Sequence, residues 1–277
     1  MRLPSIRFDD KVVLVTGASS GIGRETALGF ARAGAHLVLA ARRADELAKV
    51  AALARAQGAR TLCVATDVTD AASVRACFRR AVTRFKRVDV VVNNAGVLIA
   101  GPVERIDPDD LQRMLDVNLF GALHVMQAAL RQMRRQADGG HIVNIGSLAG
   151  RRGYSPLGAY SASKFALVGL TEALRTELAD GNVGVSLVLP GVVDTPMATS
   201  AAGDPHTAGF WPPRLTMPPE WVVLAIFAAV RFRLAEVAVP PGAALVEKIA
   251  ALAPGPADAL LRGFMRVARR TGRVPPA

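Results

Sequence analysis

A tyrosine and a lysine are spaced as a pair that could move a proton. Tyr160 and Lys164 are four residues apart at the start of a predicted helix, which places both side chains on one face. A free tyrosine has a pKa of about 10, too high for a base at neutral pH. A neighbouring ammonium lowers that pKa because it stabilises the phenolate. The pair therefore suits acid–base catalysis by Tyr160, with Lys164 as the activating cation.

Two further polar residues could complete such a site. Ser147 ends a predicted strand, from which its hydroxyl could donate a hydrogen bond to a substrate oxygen. Asn118 falls on an otherwise apolar helical face, and a buried asparagine needs hydrogen-bond partners. Each residue also has a purely structural explanation: Tyr160 as an aromatic at a helix start, Lys164 as an exposed cation, Ser147 as a cap and Asn118 as a core hydrogen bonder.

A glycine-rich loop follows the first predicted strand. It reads Thr16-Gly17-Ala18-Ser19-Ser20-Gly21-Ile22-Gly23-Arg24 and leads into an alanine-rich helix. Glycines permit a tight turn and let backbone N–H groups approach a pyrophosphate, which then lies at the positive end of the helix. A plain strand-to-helix turn would explain the same glycines.

Short apolar runs alternate with longer amphipathic ones along the chain. The runs 12–15 and 88–92 are nearly continuous, which is typical of strands buried on both faces of a parallel sheet. We therefore predict an α/β fold: a Rossmann-like doubly wound parallel sheet of about seven strands with helices on both faces. The predicted strands are Val12–Thr16, His36–Ala41, Arg60–Thr66, Val88–Asn93, His141–Ser147, Val183–Pro190 and Glu236–Val239.

The 277 residues suit one dinucleotide-binding domain, since an open α/β sheet of this length buries one large core. Residues 196–219 contain several glycines and prolines, and we interpret them as a candidate substrate lid. Residues 242–277 are expected to form a helical C-terminal extension. The longest apolar run, 221–230, has about half of the roughly 20 residues that span a bilayer, which indicates a buried helix.

The pattern Thr-Gly-x-x-x-Gly-x-Gly resembles the fingerprint of the short-chain dehydrogenase/reductase family. The likeness extends from Lys11 to about Met197 and includes Asn93-Asn94-Ala95-Gly96 and the Tyr160–Lys164 pair. It implies that Ser147 polarises the substrate, that Asn118 orders a water leading to Lys164, and that Lys164 binds the nicotinamide ribose. The implied cofactor-binding residues are Gly17, Ser19, Ser20, Gly21, Ile22, Gly23, Asp67, Val68, Asn94, Gly96, Tyr160, Lys164, Val193 and Thr195.

Three of these assignments concern particular parts of the cofactor. The resemblance places Asp67 and Val68 beside the adenine, although a helix cap would explain Asp67 equally well. It also assigns the Val193 backbone and Thr195 to the nicotinamide carboxamide. Fixing that ring selects which of its faces donates hydride.

The residues after the second strand favour NADP(H) over NAD(H). Enzymes that prefer NAD usually have an acidic side chain there, which binds the ribose 2'-hydroxyl. This chain has Ala40-Ala41-Arg42-Arg43, and a guanidinium suits the 2'-phosphate of NADP. We expect Arg42 to be the main contact. Alternatively, both arginines only solvate the start of the next helix.

Together these features predict reversible reduction of a ketone or aldehyde to the alcohol by NADPH, with Tyr160 as acid and base. A non-catalytic NADP-sensing binding protein of the same fold is the alternative, but it would have little need for the tyrosine–lysine pair. A nucleotide-sugar epimerase is disfavoured by the glycine spacing. The net charge of +11 could attract nucleic acid. We expect no nucleic-acid partner, because arginine-rich surfaces are ordinary and also attract a dinucleotide phosphate.

Interleaved apolar and basic residues at 259–270 predict an amphipathic helix. It would pack on the substrate loop or a neighbouring subunit, or else make peripheral contact with an anionic membrane. By resemblance, we expect a homodimer or homotetramer formed through the helices of Asn118 and Tyr160. Apolar residues near the motifs and in the lid suit an apolar substrate or simply cover the core; they are Leu98, Leu148, Tyr154, Met197, Phe210, Trp211 and Met217.

The two cysteines, Cys63 and Cys77, lie in a predicted strand and the following helix. This placement indicates neither a disulfide framework nor a metal site. The N-terminal residues lack the apolar region of a secretory signal. We therefore expect a cytoplasmic enzyme without a metal.

Overall fold

The computed structural model describes residues 6–202, 216–259 and 262–263. Within them, one sheet contains seven parallel strands in the order β3-β2-β1-β4-β5-β6-β7. The predicted doubly wound α/β fold is therefore confirmed. The strands are β1 (Val12–Thr16), β2 (His36–Ala41), β3 (Thr61–Ala65), β4 (Val90–Asn93), β5 (Gly140–Ile145), β6 (Val183–Pro190) and β7 (Glu236–Val239).

Helices connect the strands and cover both faces of the sheet. Across the described residues they are α1 (Gly21–Arg32), α2 (Ala44–Arg55), α3 (Ala71–Phe85), α4 (Pro108–Leu115), α5 (Gly121–Met133), α6 (Gly158–Glu177), α7 (Pro196–Ala202), α8 (Pro219–Phe232) and α9 (Ala243–Leu252). A π-helical turn, Asp116–Phe120, joins α4 to α5. Residues 254–259 are also helical.

The core is divided by the sheet into two apolar layers. Along β1, Val13 and Val15 pack with residues of α1, α2 and α8, whereas Val12 and Leu14 pack with residues of α3, α5 and α6. All five β1 residues are buried. This two-sided burial explains why the strand sequence is continuously apolar rather than alternating.

Three strands, β3, β4 and β5, have bounds that differ from the predicted ones. The strand β3 is one residue shorter at each end, and β4 begins at Val90 rather than Val88. Just before β4, the Asp89 carboxylate accepts the N–H of Val12 at 2.8 Å. The strand β5 ends at Ile145, so the prediction that Ser147 ends the strand was wrong. Ser147 lies in the loop beyond β5.

The chain after β6 contains the apolar run, the candidate lid and the predicted amphipathic helix. The apolar run 221–230 lies within α8, as predicted, although Trp221 at its start is 41% exposed. The candidate lid begins with α7, and its residues 203–215, which include Phe210 and Trp211, lie outside the described part. Most of the predicted amphipathic helix at 259–270 also lies outside it. None of the described helices is both long and apolar enough to cross a membrane.

Candidate active site

The predicted site residues gather at one edge of the sheet, where the strands have their carboxyl ends. Arg42 follows β2, Asp67 follows β3 and Asn94 follows β4. Ser147 follows β5, and Thr195 follows β6. A doubly wound sheet binds ligands at this edge. The strand order places β1, which precedes the glycine loop, beside β4.

Tyr160 and Lys164 lie in the first turns of α6 and are both buried, with exposed fractions of 9% and 4%. The Lys164 Nζ is 5.7 Å from the centre of the Tyr160 ring. It also donates a hydrogen bond to the carbonyl oxygen of Ile145, 3.0 Å away at the end of β5. Because a buried ammonium needs such a partner, β5 and α6 together fix the position of the cation.

Burial is the largest influence on the pKa of both groups. It raises the pKa of Tyr160 to about 12, and a hydrogen bond with Ser147 acts in the opposite direction. Burial lowers the pKa of Lys164 to about 8. From the sequence we expected Lys164 to lower the tyrosine pKa, but the pKa is raised instead, and its causes are burial and Ser147 rather than Lys164. Tyr160 thus holds its proton at neutral pH and can act as an acid.

Ser147 has the capping role that was its structural explanation from the sequence. It is the N-cap of a short 3-10 turn, Leu148–Gly150, and its Oγ accepts a hydrogen bond from the N–H of Ala149 at 3.1 Å. Its hydroxyl also interacts with that of Tyr160. The capping bond fixes the oxygen, and the hydroxyl proton remains available for the tyrosine or a substrate oxygen.

Asn118 lies in the π-helical turn and is 1% exposed. Its Oδ1 accepts from the N–H of Val97 at 2.8 Å, and its Nδ2 donates to the Val97 carbonyl and to Ser163 Oγ, each at 2.9 Å. A π turn widens the helix and re-aims one side chain. Asn118 therefore joins the loop after β4 to α6.

Ser163 is a site residue that the sequence reasoning missed. Its hydroxyl accepts from Asn118 and donates to the carbonyl oxygen of Tyr160 at 2.7 Å, and it is fully buried. A signal was present, because a polar residue one turn after Tyr160 on a buried helix face must find partners.

A groove of about 290 Å³ runs along the carboxyl ends of the strands. Most predicted cofactor residues line it: Gly17, Ser19, Ser20, Gly21, Ile22, Arg42, Asp67, Val68, Asn94, Gly96 and Thr195. Gly23, Val193, Tyr160 and Lys164 are not among the lining residues. Val193 is buried and belongs to an isolated bridge with Met217. The structure adds Ala40, Ala41, Arg43, Thr66, Ala95, Val97, Val117, Pro196 and Met197 to the lining.

The glycines of the loop are required by backbone geometry. Gly17 and Gly21 have φ angles of +63° and +51°, a left-handed conformation that side chains disfavour. A Cβ on Gly23 would lie 2.2 Å from the carbonyl oxygen of Gly17. Gly23 therefore acts behind the groove, by allowing the loop and α1 to approach each other closely.

Arg43 reaches the glycine loop. Its guanidinium donates to the hydroxyls of Ser19 and Ser20, each at 3.1 Å. The pKa of Asp67 is lowered mainly by hydrogen bonds from Thr69, with a smaller contribution from Arg42. The two arginines thus lie on the groove with different neighbours, and the interpretation that both only solvate the next helix fails for Arg43.

The groove fits a dinucleotide with an anionic pyrophosphate. The first turn of α1 contains no acidic residue, and Ser20 makes no side-chain capping bond to that turn. The backbone N–H groups there can therefore bind an anion at the positive end of the helix. Arg42 and Arg43 add positive charge at the same end of the groove.

Apolar residues surround Tyr160 on its other side. We call this group the Tyr160 cluster: Val97, Leu98, Ile99, Ala100, Ile106, Leu111, Met114, Ala149, Tyr154, Leu157, Ala159 and Tyr160. Tyr154 comes from the same loop as Ser147. No group of His, Cys, Asp and Glu in the part of the chain that the structure describes is arranged to hold a metal ion.

Comparison with known proteins identifies the family. A profile of the short chain dehydrogenase family matches residues 11–205, and the chain belongs to this family. The 3beta-hydroxysteroid dehydrogenase of Mediterraneibacter gnavus is 36% identical over 202 residues, which are 73% of this chain and 72% of that protein. The chain is therefore an oxidoreductase of the alcohol- and carbonyl-transforming short-chain type.

Two solved structures show the same fold. A short-chain dehydrogenase/reductase from Burkholderia phymatum in complex with NAD has a TM-score of 0.79 and 31% identity, covering 87% of this chain and 93% of that one. An alcohol dehydrogenase from Thermococcus sibiricus complexed with 5-hydroxy-NADP has a TM-score of 0.74 and 30% identity, covering 83% and 96%. These two relatives carry different dinucleotides, so the preference of this chain for NAD or NADP must be argued from its own groove.

Proposed function

We propose that this protein is an NADP-dependent carbonyl reductase and alcohol dehydrogenase in which Tyr160 is the catalytic acid and base. The observation that carries the proposal is the buried Tyr160, hydrogen-bonded to Ser147 and close to Lys164, beside a groove that contains two arginines. One domain would perform both binding and chemistry.

The bound cofactor would supply the hydride, and the protein residues would supply the proton and the orientation. In reduction, Tyr160 donates its proton to the carbonyl oxygen while the carbonyl carbon gains hydride, so that the product is the alcohol. The Ser147 hydroxyl donates a hydrogen bond to the same oxygen and stabilises its developing charge. Lys164 offsets the negative charge left on Tyr160, because its ammonium lies 5.7 Å from the phenol ring.

The preference for NADP rests on the charge at the end of β2. Ala41, Arg42 and Arg43 line the groove there, and none supplies the carboxylate that would favour a ribose 2'-hydroxyl. Arg43 is already oriented by Ser19 and Ser20, so a 2'-phosphate placed between the loop and β2 would meet a preorganised guanidinium. Arg42 remains our proposed main contact, with Arg43 as a second.

The substrate is proposed to be an apolar ketone or alcohol. The Tyr160 cluster consists mainly of aliphatic and aromatic side chains that belong to the same apolar cluster as the catalytic tyrosine. The name of the Mediterraneibacter gnavus relative points to a steroid, which is also apolar. An apolar pocket with few polar groups is the usual form of such a site.

The assembly is proposed to be a homodimer or homotetramer formed through the segments that carry Asn118 and Tyr160. Phe120 in the π turn and Phe165 in α6 are 44% and 45% exposed, which suits an interface between copies. Sedimentation of the purified protein tests this: a monomer at micromolar concentration contradicts it. Membrane contact through residues 259–270 stays a prediction, to be checked with anionic liposomes at low salt.

Turnover assays test the proposed reaction. We would follow NADPH oxidation with 2-octanone, androstane-3,17-dione and fructose, using Tyr160→Phe as the control. We expect turnover of an apolar ketone, faster with NADPH than with NADH, and none in the variant. Binding of NADPH without turnover of any of these compounds would instead support the non-catalytic sensor.

A further inference from the structure

The loop after β5 is joined to the C-terminal part of the chain by three polar contacts. The pairs are Arg151 with Glu236, Arg152 with Asp258 at 2.6 Å, and the hydroxyl of Tyr154 with the carboxylate of Glu247. The acidic partners come from β7, from the helical residues 254–259 and from α9, respectively. The loop that carries Ser147 thus depends on three separate C-terminal elements.

Tyr154 is the member of this set that also reaches the site. Its ring packs against the Tyr160 cluster, while its hydroxyl donates to Glu247. Burial raises the pKa of Tyr154, with the hydrogen bond to Glu247 as the next cause, so the phenol remains a donor at neutral pH. The tyrosine therefore connects α9 directly with the apolar surroundings of the catalytic hydroxyl.

The position of α9 relies on polar contacts to an unusual extent. Within this helix only Ala244 is buried. Its large apolar side chains, Leu245, Val246, Ile249 and Leu252, are between 58% and 86% exposed. Helices are normally anchored by a buried apolar face. With that anchor reduced to one alanine, Glu247 and the neighbouring Lys248, which pairs with Glu236 at 3.1 Å, hold the helix against the protein.

One carboxylate oxygen of Glu247 has a hydrogen-bond partner among the described residues, and the other has none. Its Oε1 accepts from Tyr154, and its Oε2 is buried without a hydrogen-bond partner among the described residues. Burying a carboxylate oxygen in this way is costly unless its other interactions are strong. A carboxylate that is buried despite this cost in free energy suits a role in fixing the position of its partner, which here is Tyr154.

We propose that Glu247 is a positioning residue of the active site: by holding Tyr154 it fixes the Ser147 loop and one apolar wall of the substrate pocket. The helix α9 is then part of the site, although it contributes no catalytic group. This inference rests on the proposed carbonyl–alcohol function, and its test includes a measurement that needs no turnover.

The test compares five variants of the full chain, one of which is the double variant Glu247→Ala/Tyr154→Phe. Glu247→Ala removes the acceptor, and Tyr154→Phe removes the donor but keeps the ring. Glu247→Gln keeps an acceptor oxygen and should rescue the function. Asp138→Asn is the matched control, because Asp138 is paired with an arginine, Arg87, at the opposite edge of the sheet. Hydrogen exchange of residues 147–157 and of the glycine loop is measured for each, together with NADPH affinity and the kinetics of the ketone that the wild type reduces.

We expect faster exchange in residues 147–157, and unchanged exchange in the glycine loop, for Glu247→Ala and Tyr154→Phe. In both, kcat/KM for the ketone should fall about tenfold, the factor that corresponds to about one net hydrogen bond, while NADPH affinity is unchanged. The double variant should be no worse than either single one. Glu247→Gln and Asp138→Asn should behave like wild type.

Unchanged exchange in Glu247→Ala would overturn the proposal, and so would faster exchange with unaltered kcat/KM, which would show a structural tether only. A wild-type protein that reduces no ketone would overturn the proposed function instead. In that case the exchange comparison alone would decide whether Glu247 holds the loop.

Discussion

The side-chain amide of Asn118 donates a hydrogen bond to the hydroxyl of Ser163 over 2.9 Å. The Ser163 hydroxyl in turn donates a hydrogen bond to the carbonyl oxygen of Tyr160. Asn118 belongs to the π turn before α5, whereas Ser163 and Tyr160 belong to α6. One buried serine therefore provides a hydrogen-bonded link between the π turn and α6.

Replacing Ser163 by alanine should disturb the site and destabilise the fold. The change leaves the buried Asn118 amide short of one acceptor, which costs about 1–3 kcal/mol. Thermal unfolding and turnover measure the effect. Ser161→Ala is the matched control, since the Ser161 hydroxyl is buried without a partner in the described part of the chain. Equal losses in both variants would contradict the bridging role of Ser163.

Tyr160→Phe and Lys164→Ala should separate proton transfer from cofactor binding. The phenylalanine variant loses the transferable proton but keeps the ring, so turnover is abolished and NADPH affinity is nearly intact. The alanine variant also loses the cation that we assign to the cofactor ribose, so both turnover and affinity fall. Stopped-flow binding and steady-state assays distinguish the two patterns. Wild-type turnover in Tyr160→Phe would refute the catalytic assignment.

The cofactor preference should respond to the residues after β2. Arg42→Ala and Arg43→Ala are each expected to weaken NADPH binding about tenfold or more, because a charge-assisted hydrogen bond is worth roughly 1.5–3 kcal/mol. Combining Ala41→Asp with Arg42→Ala should move the preference toward NADH. Arg55→Ala, on the exposed face of α2, is the control. Equal use of NADH and NADPH by the wild type would rule out this account.

The alkaline pH dependence of the protein should report on its two tyrosines. Burial raises the pKa of Tyr160 to about 12 from 10.0, and the pKa of Tyr154 is raised as well. Between those pH values the folded protein keeps a proton that the unfolded chain loses, so this contribution to stability falls as pH rises. Near-ultraviolet titration should show little phenolate near pH 10 until the protein is unfolded. A normal titration in the folded state would be inconsistent with burial.

Lys164 should act on stability over a lower pH range and with the opposite sign. Burial lowers its pKa to about 8 from 10.5. Between these values the unfolded chain holds the proton and the folded protein does not, so the contribution of Lys164 to stability decreases as pH falls from 10.5 to 8. Lys164→Met should remove this slope from the pH dependence of the unfolding free energy. A slope that persists in the variant would assign it elsewhere.

Two glycine-to-alanine changes should have opposite effects. Gly23→Ala places a methyl group 2.2 Å from a backbone oxygen, so the loop must shift and NADPH binding should be lost. Gly169→Ala lies at an exposed position of α6 with open space around the new methyl, and helix propensity predicts a gain of about 0.5–1 kcal/mol. Thermal shifts with and without NADPH measure both. Retained NADPH binding in Gly23→Ala would contradict the close-packing role.

The sheet and the positions of Tyr160 and Lys164 were predictable because they depend on local patterns. Continuous apolar runs give buried parallel strands, and the four-residue spacing gives a shared helix face. The π turn at Asn118 was not predictable, since nothing in its composition distinguishes it from an α-helix. The reach of Arg43 to Ser19 depends on which rotamer a long side chain adopts between two loops.

Contacts across long stretches of chain were also beyond sequence reasoning. The sequence predicted a helical C-terminal extension. Its pattern of charges does not reveal that Glu247 accepts a hydrogen bond from Tyr154, which lies 93 residues earlier. The raised pKa of Tyr160 was not predictable either, because desolvation depends on all the residues packed around the phenol and not on a neighbour in the sequence.

The three contacts of the loop after β5 also bear on the order in which the molecule is made. Arg151, Tyr154 and Arg152 precede their partners by 85, 93 and 106 residues. During synthesis, the glycine loop and the first strands can therefore emerge and pair long before the acidic partners of the loop after β5 have been made. A chain that stops before Glu236 lacks all three acidic partners, so the loop that carries Ser147 should gain its fixed position only after residues 236–258 have been synthesised.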